Sequence, residues 1–109
     1  MWAAQVAIEM ERLGVPAVTV ATDAFAEMGQ DTARSLGLAG LPIVAAPSGL
    51  EELDAREVGE EAERMCDEIV AAFTGDAPAL ESTYAGREWL SSEEAIAVTC
   101  AVTKQHALA

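Results

Sequence analysis

Two cysteines, one histidine, five aromatic residues and six basic residues are all that a chain of 109 residues provides of these types, and each scarcity excludes something. Cys66 and Cys100 are too few and too far apart to read as a metal cluster or a redox pair, so both are expected to be reduced, buried thiols. His106, near the end of the chain, is not read as catalytic. Few basic residues against 19 acidic ones leave a net charge of −13, which repels nucleic acid and anionic membranes alike. A basic or neutral protein partner fits better. No apolar run approaches the ~20 residues that span a bilayer, and the first residues show neither the basic start nor the cleavage pattern of an export signal. The reading is therefore of a cytoplasmic protein that binds no membrane.

What the chain has in abundance is small apolar side chains, with hydrophobic residues at 51% and many alanines. Its length suits about one small domain. Along residues 2–14, "WAAQVAIEMERLG", the helical period sets Trp2, Ala3, Val6, Ala7, Met10 and Leu13 on one side. Gly14 is the stop. Ile8 falls on the polar side, either as a tolerated exposed residue or as a contact with another chain. "PAVTVAT", 16–22, then predicts a strand covered on both faces. Thr22 or Asp23 is placed to cap a helix running to about Leu36, with Gly37 after it.

"LPIVAAPSG", 41–49, repeats the pattern as a second parallel strand followed by a Pro47-Ser48-Gly49 turn. Asp54 with Glu57 reads as a helix cap, and Val58, Ala62, Met65, Ile69 and Ala72 or Phe73 draw the apolar stripe behind it. Residues 74–90 carry Gly75, Pro78 and Gly86 without a period and are expected to be an irregular connection. Ser91 with Glu94 opens a last helix, 92 to about 107, apolar on two faces, with Val98 and Val102 on one of them. The fold class expected is α/β: a partial, Rossmann-like parallel sheet in the order α-β-α-β-α, plus a C-terminal helix. Residues 1–75 form an α/β half-domain, and 76–109 a linker and docking helix. Two parallel strands are too narrow a sheet to cover so many apolar helices, so another chain is expected to complete it.

The stretch "AIEMERLGVPAVTVATDAFAEMGQDTARSLGLAGLPIVAAPSGLEELDAREV" resembles the C-terminal half of the UGSC-type domain, a family related to component B of glycine, sarcosine and betaine reductases. The resemblance covers roughly residues 3–73. It rests on an E-R-x-G-x-P turn (Glu11, Arg12, Gly14, Pro16), a strand ending in T-[ED]-x-F (Thr22, Asp23, Phe25) and an L-P-x-x strand ending at a proline, in that order and spacing. It implies a reactive selenol or thiol in a loop upstream of the first helix, which this sequence does not contain. It also implies a histidine in a P-H-P turn after the second strand. Here that position reads Pro47-Ser48, which puts proton handling at that turn in doubt.

Ligands of open parallel sheets gather beyond the carboxyl ends of the strands, where helix N-termini offer free N–H groups. Thr22, Asp23, Ser48 and Gly49 are the substrate-binding candidates there. Thr22 and Asp23 either cap the helix alone, or one caps while the other faces a shared cleft. Ser48 lacks a Gly-x-Ser-x-Gly elbow and is not read as a nucleophile. Tyr84 and Arg87, in the irregular segment, are candidates for holding a carboxylate. Trp2, Ile8, Trp89, Val98 and Val102 are the interface candidates, Trp2 above all. No catalytic residue, metal ligand or cofactor is identified.

Together with the resemblance, these features imply the small subunit of a split, thiol-dependent enzyme. Its partner would supply the upstream strands and the cysteine or selenocysteine loop, and the substrate would be a small carboxylate or carbonyl compound cleaved or exchanged at a carbon–heteroatom bond. The alternative expectation is a non-catalytic binding or scaffold subunit, homodimeric in one form.

Overall fold

The computed structural model of the protein describes residues 1–89 together with Glu93, Glu94 and Ala97. The elements run α1 (Trp2–Arg12), β1 (Thr19–Thr22), α2 (Asp23–Ser35), β2 (Ile43–Ala46), a 3-10 turn at Leu50–Glu52, α3 (Ala55–Thr74) and α4 (Ala77–Tyr84). This is an α/β fold on a two-stranded parallel sheet. The expected final helix lies outside the described residues apart from Glu93, Glu94 and Ala97, and with it Val98, Cys100, Val102 and His106.

Local rules account for most of the boundaries. Gly14 and Gly37 take φ of 80° and 83° just past α1 and α2, a conformation that costs other residues more. Asp54 accepts the Glu57 N–H at 2.8 Å while Glu57 reaches back to the Asp54 N–H, the reciprocal bonds of a capping box. The bond from the Glu57 backbone also holds the Asp54 carboxyl below its ordinary pKa. In the segment expected to be irregular the chain instead forms α4. Asp76 caps it by accepting the Ala79 N–H at 2.9 Å, and Pro78 sits in the first turn, where a missing N–H is harmless. Pro78 starts a helix here rather than interrupting one.

The strands pair in register from Thr19↔Ile43 to Thr22↔Ala46. Paired residues of a parallel ladder share a face, so Thr19, Ala21, Ile43 and Ala45 form one face. There α2 lies on the sheet, with Ala26 packed against Ala21 and Ile43. Val44 on the other face is fully buried, whereas its neighbour Val20 is 49% exposed. Among the described residues α3 packs mainly on β2, and Val20 on the far face of β1 stays half-exposed.

The packing of α1 corrects the sequence reading. Ala4, Ala7 and Ile8 are its buried residues, joined with Ala33 and Leu41 in one cluster. Ile8 is fully buried and contacts the chain's own core rather than solvent or another chain. The alanine surfaces of α1 and α2 let the helices approach closely, and that narrow seam takes the core side. The wider stripe of Trp2, Val6, Met10 and Leu13 turns outward, with Trp2 78% and Leu13 77% exposed. Amphipathicity alone pointed to the wrong one of two apolar faces.

Burial assigns different energies to the two faces. Ile8→Ala is expected to cost about 2–4 kcal/mol, and Trp2→Ala in the same isolated chain less than about 0.5 kcal/mol. Urea unfolding of both variants checks this, and equal losses would mean that the outer stripe is buried too.

Candidate functional site at the strand ends

The carboxyl ends of β1 and β2 bring together four of the residues singled out from the sequence. Thr22 is the last residue of β1 and the N-cap of α2, yet its side chain makes no capping bond. Asp23 opens α2 and is half-buried. The cap is supplied from the other loop: Ser48 Oγ accepts the Ala24 N–H at 3.2 Å. Gly49, buried and at φ 81°, turns the chain out of this contact into the 3-10 turn. The two strand-end loops are thereby tied to each other at the N-terminus of α2, where backbone N–H groups and the helix dipole favour negative charge.

Ser48 occupies the turn where the resemblance implied a histidine, and its oxygen serves the backbone as an acceptor. The Ala24–Ser48 bond was not legible in the sequence, because Ala24 contributes only its backbone.

Tyr84 and Arg87 lie elsewhere. The Tyr84 carbonyl accepts from Gln30 Nε2 at 3.0 Å and the Ala85 carbonyl from Arg34 at 3.1 Å. Gln30 is seven residues into α2 from Asp23, so these contacts lie roughly 10 Å along the helix from the strand ends. Arg87 is held by Glu68 at 2.7 Å and stacks over Trp89 at 4.6 Å and Tyr84 at 5.6 Å. The Tyr84 hydroxyl donates to the same carboxylate oxygen at 3.3 Å. Burial, aided by the Glu68 charge, raises the Tyr84 pKa above 10.0. A carboxylate ligand at Arg87 would have to displace Glu68. Trp89 is half-buried and packs on the Ala21, Ala26 and Ile43 cluster.

Cys66, expected to be buried, is exposed on α3. α3 is rotated so that Ala72 is buried and Met65 and Ile69 are half-buried, while Val58, Ala62 and Phe73 of the expected stripe stay exposed beside the thiol. Among the described residues no group of three or more His, Cys, Asp or Glu side chains is placed to hold a metal ion, and no helix is long and apolar enough to cross a membrane.

One further contact decides how the sheet can grow. Thr19 N–H donates to the Pro42 carbonyl, so by alternation Thr19 and Ala21 address β2 while Val18, Val20 and Thr22 present their backbone groups to the open side. On β2 the same alternation turns Ile43 and Ala45 away from β1. There Arg64 Nη2 donates to the Ala45 carbonyl at 2.8 Å, which blocks that edge. Among the described residues no strand pairs with the outer side of β1, which is the open edge, and α1, with its exposed stripe, packs beside it.

A model of the UGSC family matches residues 1–75. No curated protein and no solved structure matches the chain.

Two measurements test this geometry. Ser48→Ala should lower unfolding stability by about 1 kcal/mol, and Ser48→Thr, which keeps the acceptor, should restore part of it. For Tyr84 the folded-state pKa is the raised one, so its contribution is whole below pH 10.0 and is lost as the pH climbs from there through the raised value. Tyr84→Phe should flatten that alkaline limb of the stability profile.

Proposed function

The chain belongs to the UGSC family, and on that footing we propose that it is one subunit of a thiol-dependent enzyme whose companion chain lays a strand along β1. The observation that carries this reading is the open edge of β1 next to the uncovered stripe of α1. A strand added parallel to β1 would pair with the outward groups of Val18, Val20 and Thr22 and would lie against Trp2, Val6, Met10 and Leu13. Those side chains are exposed in this chain, and covering each large one is worth about 1.5–3 kcal/mol. The blocked edge at Ala45 leaves the companion one side to join.

A parallel strand ends level with Thr22 and Ala46, so the loop following it would sit at the tied strand ends. There the companion's cysteine or selenocysteine would face the N-terminus of α2. The substrate in this reading is a small carboxylate or carbonyl compound. Its anionic oxygen is held by the helix end, the Thr22 hydroxyl donates to it, and Asp23 orients the incoming thiol. Attack by the thiolate forms a carbon–sulfur bond, and the carbon–heteroatom bond breaks as the leaving group takes the electron pair. Ser48 and Gly49 shape the wall. Tyr84 and Arg87 brace α2 against α3 from outside the cleft.

The net charge of −13 disfavours a second copy as the companion and suits a neutral or basic chain. Val20→Pro removes an outward N–H while leaving the β1–β2 ladder intact. Co-expressed with a UGSC-family chain that carries the upstream strand and its cysteine or selenocysteine loop, the parent should co-purify as a complex and the variant should not, with unchanged circular dichroism of the variant alone. Co-purification of Val20→Pro at parental yield, or hydrogen-exchange protection of Val18 and Val20 amides in the lone chain, would sink the proposal.

A further inference from the structure

α3 is rotated relative to its sequence pattern: Met65, Ile69 and Ala72 of the expected stripe turn inward, whereas Val58, Ala62 and Phe73 stay exposed. At about 100° per residue, Glu57, Glu61, Glu68 and Ala72 fall on the side nearest the body of the protein, and these glutamates are half-buried. Arg64 joins them, bonding Glu61 at 2.9 Å and the Ala45 carbonyl at 2.8 Å, while Glu68 binds Arg87. This polar clamp fixes the rotation of the helix. Val58, Ala62, Cys66, Val70 and Phe73 lie on a second side, all exposed, with Val70 at 59% and Phe73 at 51%. A continuous apolar stripe along about four turns of a surface helix is the mark of a face covered in an assembly.

The occupant can be argued from charge. Glu60, Glu63 and Asp67 border the stripe on the flank next to Val70, and across α3 six acidic residues stand against Arg56 and Arg64. Both arginines are already paired within the helix, Arg56 with Glu60 and Arg64 with Glu61. A second copy of this chain would bring the same acidic rim against itself. Independently of the reading at β1, we propose that the outer stripe of α3 docks an amphipathic helix of another protein whose apolar face is bordered by lysine or arginine. The apolar side chains interdigitate in helix-to-groove fashion, and the acidic rim sets partner choice and association rate.

Cys66, in the middle of the stripe, reports occupancy. The full chain is titrated with a synthetic 18-residue leucine–lysine amphipathic helix, and with a scrambled peptide of equal composition and charge that has no apolar face. Alkylation of Cys66 is followed by peptide mass mapping, which separates it from Cys100. The amphipathic peptide should slow Cys66 alkylation about tenfold, and the double variant Val70→Ser, Phe73→Ser should weaken its binding about tenfold at unchanged charge, equivalent to about 1.4 kcal/mol. Equal binding of the scrambled peptide, or alkylation unaffected at saturation, overturns the proposal. So does a Cys66 that reacts far more slowly than free cysteine before any peptide is added, since the stripe would then be covered by a second copy or by residues 90–109.

Discussion

The parallel pairing of β1 with β2 is the constraint from which the rest of the molecule follows. Parallel strands require a crossover between them, here α2, and they are stable when both faces and both edges are satisfied. Two strands of four residues meet this requirement on one side only. On the β2 side Arg64 closes the edge and α3 covers Val44. On the β1 side no strand of the described residues pairs with the edge, Val20 is half-exposed, and α1 overhangs with its larger apolar residues exposed. Asymmetry of this kind assigns a direction to the sheet, and it places the tied loops of Thr22 and Ser48 at the boundary of the chain rather than inside it.

A second constraint is the size of the core side chains. The α1–α2 seam is built from Ala4, Ala7, Ile8 and Ala33, with Leu41 closing one end. A Cβ on Gly29 would come within 3.3 Å of Ile43 and Met1, so α2 rides close to the sheet as well. Close backbone approach gives dispersion contacts with little side-chain entropy lost, but it buries little area. The large residues are left for other surfaces: Trp2 and Leu13 on α1, Val70 and Phe73 on α3. A chain with so few aromatics has placed most of its bulk outside its own core.

Much of this was legible in the sequence. The order of elements through α3, the glycine stops, the Asp54 capping box, the parallel strands and the convergence of Thr22, Asp23, Ser48 and Gly49 all follow from local chemistry that one residue or one short spacing carries. The misreadings share a cause. Ile8 and Cys66 sit on helices with two apolar sides, and periodicity reports that such sides exist without reporting which one the fold consumes. The choice on α1 was made by alanine packing against α2. On α3, where Met65, Ile69 and Ala72 turn inward as their spacing predicts, the rotation that leaves Cys66 exposed also involves Arg64 and Glu68, whose partners, the Ala45 carbonyl and Arg87, are distant in sequence. α4 was missed for another reason, since Pro78 starts a helix or ends one depending on whether a cap precedes it, and Asp76 does.

Electrostatics connects these points. Arg12, Arg34, Arg56, Arg64 and Arg87 each have a carboxylate partner, so the arginine charge of the described residues is spent within the chain. Exposed pairs of this type contribute little to stability, each about 0–1 kcal/mol. Their greater consequence is positional: Arg64 shuts one edge of the sheet, and Arg87 with Glu68 fixes the rotation of α3. No arginine of these is left to attract an anionic substrate at the strand ends. There the attraction must come from the backbone N–H groups of α2, whose strength depends on exclusion of water. A cleft with a wall missing does not exclude water, so in the proposed complex a strand laid along the open edge of β1 would also dry the N-terminus of α2 and strengthen its hold on an anion.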